Sequence, residues 1–171
     1  LHLTNVHYAT INSSFLLVYA LSMFAWGAVF DRLGNRRGFS IAVVIWSIAE
    51  IGHAFARGLA SFCGLRGLLG LGESGNWPGA TRTIAAWFPP RQRALGMGIA
   101  NTGASLGPVV ATLIITPLML RFGWRAVFVI TGSLGFGWLV LWLALYPKNP
   151  PAAATAMPAA VAHPPVPWGV L

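Results

Sequence analysis

Five long apolar runs, each close to the length that crosses a lipid bilayer, dominate this sequence. They cover residues 11–30, 39–56, 61–88, 95–120 and 126–146. A helix needs about 20 mostly apolar residues to span the hydrocarbon core, and only short segments with charges or glycines separate these runs. Because lipid offers the backbone no hydrogen-bond partners, we expect each run to be helical. The sequence therefore predicts an all-α membrane protein with about five transmembrane helices.

The composition indicates a chain whose main solvent is lipid. Charged residues are 8% of the 171 residues and hydrophobic residues are 56%, whereas soluble domains carry about 25% charged residues. The net charge of +8 would point to nucleic acid in a soluble protein, but here the cations are spread along the chain, mostly between the apolar runs. We therefore expect the lipid bilayer, and no nucleic acid, as a partner.

The cations between the runs predict how the chain is oriented in the membrane. One set of alternate loops holds Arg32, Arg36, Arg37, Arg91, Arg93 and Lys148, and the other set holds Arg57, Arg121 and Arg125. Because cytoplasmic loops carry the excess of Lys and Arg, the first set is predicted to be cytoplasmic in a multi-pass protein of the inner (plasma) membrane. After a bundle over residues 1–148, the stretch 149–171, which is rich in Pro and Ala, is predicted to be a flexible cytoplasmic linker.

A charged motif joins the first two apolar runs. It reads Gly27-Ala-Val-Phe-Asp31-Arg32-Leu-Gly34-Asn-Arg36-Arg37. Asp31 stands at the predicted C-terminus of a helix, where the helix dipole disfavours an anion by up to ~1 kcal/mol. It therefore needs a cationic partner, and Arg82 near the same side of the membrane can supply one. The alternative is that the arginines of the motif only fix the topology.

Two ionisable residues, Arg66 and Glu73, lie inside the third apolar run. Their spacing is about two helical turns, which puts both on one face roughly 10 Å apart. An ionised side chain costs ~2.5 kcal/mol or more at the bilayer centre, so such residues indicate function. A cation can hold a carboxylate substrate, and a desolvated carboxylate can carry a proton. The alternatives are a static ion pair between helices and an Arg66 that snorkels to the outer interface.

The charged motif resembles the signature loop between the second and third helices of the major facilitator superfamily. Three further segments resemble the anion:cation symporter family within it, and its hexuronate branch in particular. They are Arg66-Gly-Leu-Leu-Gly-Leu-Gly-Glu73-Ser-Gly-Asn-Trp-Pro78, Trp87-Phe88-Pro89 and Trp124-Arg125-x-x-Phe128-x-x-Thr131-Gly132. The resemblance implies a partial superfamily fold, helices two to six of the N-terminal six-helix bundle. Leu1 is then expected to be a truncation point, and the first helix and the C-terminal half of the same transporter are its missing partners.

The same resemblance implies roles for single residues. Arg66 would bind the substrate carboxylate together with Tyr19 and Asn101, and Glu73 would carry the proton. The motif and Arg82 would lock and release the inner gate. The implied function is proton-coupled symport of a small organic anion, a hexuronate or a related sugar acid, without a cofactor.

Other classes of function have less support in the sequence. An intramembrane enzyme needs a nucleophile with a base, or a metal set, and the Cys and His residues do not recur at such spacings, so we predict no enzyme and no metal site. A truncated fragment that does not transport, and a superfamily transporter of another substrate class, stay open as alternatives. Glu50 and His53 form a candidate proton relay, although Glu50 is expected near the outer water as part of a solvated pair.

Overall fold

The computed structural model describes residues 4–148, and every regular element in that range is helical. The all-α prediction is therefore confirmed, while the predicted linker 149–171 lies outside the described residues. The elements are α1 (Asn5–His53), α2 (Leu59–Glu73), α3 (Asn76–Trp87), a short 3₁₀ helix (Pro90–Gln92) and α4 (Arg93–Leu145).

Two glycines divide the long helices α1 and α4. Gly34 has a φ of +74° and Gly123 a φ of +80°, in a region of conformational space that glycine enters without steric cost. We name the resulting parts the first arm (residues 5–33) and second arm (35–53) of α1, and the first arm (93–122) and second arm (124–145) of α4. The charged motif thus contains the bend of α1 at its central glycine.

The third apolar run is broken into α2 and α3. The break lies at Ser74 and Gly75, one helical turn before Pro78. A proline has no N–H to donate to the carbonyl of the residue four positions earlier, which here is Ser74, and its ring crowds that carbonyl. The break therefore lies where Pro78 interrupts the helical hydrogen bonds.

Two segments of the described chain are long and apolar enough to cross a membrane. They are Asn5–His53 and Pro90–Leu145, with mean hydropathies of 1.7 and 2.0 in their most apolar windows. Helices α2 and α3 have 15 and 12 residues, so each alone is shorter than the ~20 residues of a span. The boundaries of five separate spans stay a prediction.

Small residues allow α2 to pack directly against both arms of α1. A β-carbon at Gly70 would lie 2.6 Å from the carbonyl oxygen of Phe15, and one at Gly72 would lie 2.6 Å from the backbone nitrogen of Trp46. Only glycine permits helix backbones to approach this closely, which is how helices associate in lipid. Next to this contact, the indole of Trp26 donates a hydrogen bond of 2.7 Å to the carbonyl oxygen of Leu71.

The first arm of α4 packs against little of the described structure. Residues 101–110 are all exposed, and so are large apolar side chains such as Leu113 (72%) and Leu120 (80%). A monomeric soluble protein rarely shows an apolar surface of this extent. The arm is therefore suited to contact lipid or other transmembrane helices.

Arg36 connects the bend at Gly34 to the end of α4. Its Nε donates to the carbonyl oxygen of Tyr146 at 2.9 Å and its Nη2 to that of Leu143 at 2.7 Å. In return, the indole of Trp142 donates to the carbonyl oxygen of Arg36 at 3.2 Å. The last carbonyls of a helix lack partners within the helix, so a cation placed there stabilises the C-terminus.

We predict that Gly72→Ala destabilises the protein. The added methyl group must push α2 away from α1, and overpacking of this kind costs about 1–3 kcal/mol. Gly64→Ala is the matched control on the same helix, because a β-carbon at Gly64 would meet no atom within 4 Å. Thermal melting in detergent should show a lower melting temperature for Gly72→Ala only. Equal melting temperatures for the two variants would contradict the close packing of α2.

We also predict that Arg36→Ala loosens the end of α4. The change removes two hydrogen bonds from a charged donor, each contributing about 1.5–3 kcal/mol. Hydrogen–deuterium exchange of the amides near Leu143 and Tyr146 should become faster. Arg37→Ala is the control, since Arg37 makes no side-chain hydrogen bond within residues 4–148. The prediction is wrong if both variants exchange like the wild type.

Candidate functional site

Three of the residues predicted to bind substrate or proton lie close to one another. Arg66 and Glu73 belong to α2, and each lies within electrostatic range of the other. Tyr19 reaches the same place from the first arm of α1 and lies within electrostatic range of Glu73. All three side chains are partly buried. The glycine-mediated contact between α2 and α1 brings this set together.

The guanidinium of Arg66 is not fully paired. Its Nε is buried and has no hydrogen-bond partner in the described part of the chain. A buried donor without a partner costs about 1–3 kcal/mol, and more when it is charged. An anion bound at this position would remove that cost. Arg66 is therefore the side chain of the set best prepared to receive an anionic group.

Glu50 also belongs to this cluster, which the sequence pattern alone did not predict. The Oγ1 of Thr131, on the second arm of α4, donates to Oε1 of Glu50 at 3.0 Å. Glu50 lies within electrostatic range of Arg66 and of Glu73. It is partly buried between helices and not the solvated carboxylate that was expected. An ionisable residue within a transmembrane span indicates a functional site. Glu50 was missed because it was expected at the outer end of the second apolar run and not within the span.

His53 lies beside this cluster and is fully buried. Its Nδ1 donates to the carbonyl oxygen of Ala49 at 2.7 Å, and its ring stacks on Phe128 with a centroid separation of 5.1 Å. Its Nε2 has no partner among residues 4–148. The imidazole is thus held in a fixed orientation, and it lies within electrostatic range of Arg66.

Asn101 is not joined to the cluster by any contact in the described structure. Its side chain is exposed on the first arm of α4 and makes no hydrogen bond within the described range. This arm packs on α3 only near its start, where Gly96 faces Ile84 and Phe88. The substrate-binding role of Asn101 stays a prediction.

The charged motif forms the ion pair that its sequence suggested. Nη2 of Arg82 lies 2.6 Å from Oδ1 of Asp31, and the two side chains are 40% and 68% exposed. Arg82 also lies over the ring of Phe30, 5.7 Å from its centroid. Ion pairs as exposed as this one contribute only about 0–1 kcal/mol. The pair can therefore break and form again at little cost.

The remaining residues of the motif differ in their surroundings. Asn35 donates to Oγ1 of Thr83 at 2.8 Å and to the hydroxyl of Tyr146 at 3.2 Å, which adds α3 to the contacts made by Arg36. Arg32 and Arg37 are exposed and make no side-chain hydrogen bond within residues 4–148. A cavity of about 490 Å³ opens beside the motif; it is lined by Leu33, Gly34, Asn35, Arg36, Arg37, Tyr146 and Lys148. At Gly27, a β-carbon would meet no neighbour within 4 Å.

Known proteins with similar sequences indicate the family to which this chain belongs. The model of the family described as "Major Facilitator Superfamily" matches residues 1–171. The chain is 32% identical to the D-galactonate transporter of Escherichia coli O6:H1, over 84% of this chain and 34% of that protein. It is 33% identical to the hexuronate transporter of Bacillus subtilis, over 87% of this chain and 35% of that protein. The chain thus spans about a third of the length of these curated relatives.

A solved structure agrees with these relatives. The fold matches a bacterial homolog of the human lysosomal transporter Spinster, in an inward-facing and occupied conformation, with a TM-score of 0.67 and 27% identity. The match covers 80% of this chain and 35% of that chain. Together with the family match over the whole sequence, it shows that the chain belongs to the major facilitator superfamily, a family of multi-pass membrane transporters and not of enzymes.

Proposed function

We propose that the complete transporter containing this segment carries a small organic anion across the inner (plasma) membrane together with a proton. The observation that carries this proposal is the partly buried Arg66, whose buried Nε has no partner within the described residues and which lies within electrostatic range of Glu73. A cation and a carboxylate on the same helix supply one group for an anion and one for a proton.

The proposed substrate is a hexuronate or a related sugar acid. Relatives of this chain are named transporters of D-galactonate, galacturonate and hexuronate. Such substrates carry a carboxylate, which a guanidinium binds through two parallel hydrogen bonds. Another anion class is the alternative, because a relative from Cupriavidus necator is named a probable sulfoacetate transporter and a sulfonate suits the same fork of donors.

Glu73 is proposed as the group that carries the proton. In a bundle surrounded by lipid, an ionised carboxylate is costly unless a cation balances it. Arg66 balances Glu73 in the empty site, and a substrate carboxylate bound to Arg66 takes that balance away. Binding of a proton by Glu73 then restores neutrality. Transport of the anion and of the proton are coupled through this single cation.

The charged motif is proposed to form part of the inner gate. The exposed ion pair between Arg82 and Asp31 joins α3 to the first arm of α1, and the contacts of Arg36 join the second arm to α4. Pairs that cost little to break suit a contact that opens in every cycle. We further propose that a first helix and a second half complete the site; without them the segment would be a membrane fragment that does not transport.

We predict that Arg66→Ala in the complete transporter weakens binding of galacturonate and glucuronate. Loss of one partner of a buried charge pair costs about 2–5 kcal/mol, so affinity should fall at least about thirtyfold. Arg66→Lys should restore part of it, because an ammonium lacks the planar fork. Titration calorimetry on purified protein measures this, with Arg57→Ala as the control for loss of an exposed cation. Unchanged affinity in Arg66→Ala would mean that Arg66 has a structural role only.

We predict that Glu73→Gln abolishes uptake driven by a pH gradient but retains counterflow exchange of substrate. Glutamine keeps the shape and fixes the neutral state, so no proton is carried, whereas exchange needs no net proton movement. Both activities are measured in proteoliposomes, and the melting temperature is recorded alongside. Accumulation like that of the wild type would rule out Glu73 as the proton carrier. A joint loss of exchange and thermal stability would instead indicate a structural ion pair.

A further inference from the structure

The cavity of about 490 Å³ beside the charged motif is strongly cationic. The residues that line it within the described range include Arg36, Arg37 and Lys148 and no carboxylate. Arg36 uses its Nε and Nη2 on carbonyl oxygens at the end of α4. Arg37 and Lys148 are exposed and make no side-chain hydrogen bond within residues 4–148. This cationic cavity therefore offers an anion two cations whose donors are not engaged by the described chain.

A second cavity, of about 470 Å³, adjoins the first between α3 and the second arm of α4. The two cavities share Tyr146. The walls of the second cavity include Trp87 and Phe88 on one side and Trp138 and Leu141 on the other; we name it the aromatic groove. Trp87 is 47% exposed and Leu141 is 54% exposed, so the groove opens toward the surroundings of the helices.

A row of aromatic rings leads from the groove to the cationic cavity. Trp138, Trp142 and Tyr146 are spaced four residues apart, which places them on one face of α4. Their rings stack, with centroid separations of 5.4 Å and 4.2 Å between neighbours. Trp and Tyr are typical of the level at which a bilayer meets water. The row therefore connects an apolar surface to a charged one at the depth where lipid headgroups lie.

The polar atoms of the groove are already engaged. The hydroxyl of Thr83 donates to the carbonyl oxygen of Gly79 at 2.8 Å and accepts from Asn35. The indole of Trp142 donates to the carbonyl oxygen of Arg36. A polar solute in the groove would lose hydrogen bonds to water without replacing them, which is costly. The groove therefore favours a hydrocarbon chain.

We propose that the cationic cavity and the aromatic groove form one binding site for an anionic phospholipid. Arg37 and Lys148 hold the phosphate, and an acyl chain lies along Trp138 and Trp142. Basic pockets between transmembrane helices bind acidic headgroups in this way, whereas a free anion would use the cavity without the groove. The bound lipid joins the bend of α1 to the end of α4. The site is separate from the Arg66 cluster and does not depend on the proposed symport.

The first test measures the affinity of the complete transporter, purified in detergent, for dioleoylphosphatidylglycerol by native mass spectrometry. Each basic residue near an anionic lipid contributes about fivefold to binding, so the double variant Arg37→Gln/Lys148→Gln should bind about twentyfold more weakly. Arg32→Gln/Arg91→Gln is the matched control, because it removes two exposed cations that do not line the cavity. This control should bind like the wild type.

The second test concerns the groove. Trp87→Ala should lower the affinity for dioleoylphosphatidylglycerol severalfold, because it removes apolar surface from the acyl chain. Trp77→Ala is the control on the same helix, since Trp77 does not line the groove, and it should leave the affinity unchanged. Melting temperatures are recorded for all variants. Should Trp87→Ala fail to fold, Leu141→Ala on the opposite wall takes its place with the same expectation.

Two further ligands separate the possible occupants. Dioleoylphosphatidylcholine, with the same chains and no net charge, should bind more weakly and should not depend on Arg37 and Lys148. Inorganic phosphate should compete only weakly with the anionic lipid. Phosphate that binds as tightly as the lipid would show a site for free anions, and equal binding of the two lipids would remove the role of charge; either result overturns the inference. Wild-type affinity in Arg37→Gln/Lys148→Gln also overturns it.

A wild type that does not bind dioleoylphosphatidylglycerol overturns the inference as well, and leaves the groove to another part of the transporter or to a second copy. Because these experiments measure lipid binding and not transport, their outcome is independent of whether the proposed symport is correct.

Discussion

The contact between the backbone of α2 and the two arms of α1 is the interaction on which the candidate site depends. With Gly70 against Phe15 and Gly72 against Trp46, α2 lies close to both arms. That position places Arg66 and Glu73 between helices and not in lipid. In a bilayer, where the hydrophobic effect does not drive helices together, such close contacts supply the association. The same residues that permit packing therefore also determine where the charges lie.

The need to balance charged side chains between helices, where water is scarce, is the second constraint on the structure. At the exposed end of the bundle, the Asp31–Arg82 pair is weak because water competes with it. Between the helices, the charges of Glu50, Arg66 and Glu73 depend on one another, because water and salt screen partly buried charges less than exposed ones. One type of interaction thus gives a labile contact at the surface and a coupled set of groups inside.

The sequence was sufficient for the features that depend on local pattern. Apolar runs predicted the helical class, which the structure and the family confirm, and the motif around Asp31 led to its pairing with Arg82. The break at Ser74 and Gly75 lies one turn before Pro78, where a proline interrupts the helical hydrogen bonds. Glu50 was undervalued because its partner Thr131 is 81 residues away along the chain. Contacts between distant helices leave no periodic signal in a single sequence.

The bends at Gly34 and Gly123 have a mechanical consequence. Each joins two helical arms through one residue of non-helical conformation, so the connected arms have no slack chain between them. Sliding one arm past its neighbour by a full turn would require about 5.4 Å of extra chain at the bend. The arms of α1, joined at Gly34, are thus limited to tilting and rotating about a common end. We therefore expect the two arms of α1 to move as a hinged pair and not to slide along each other.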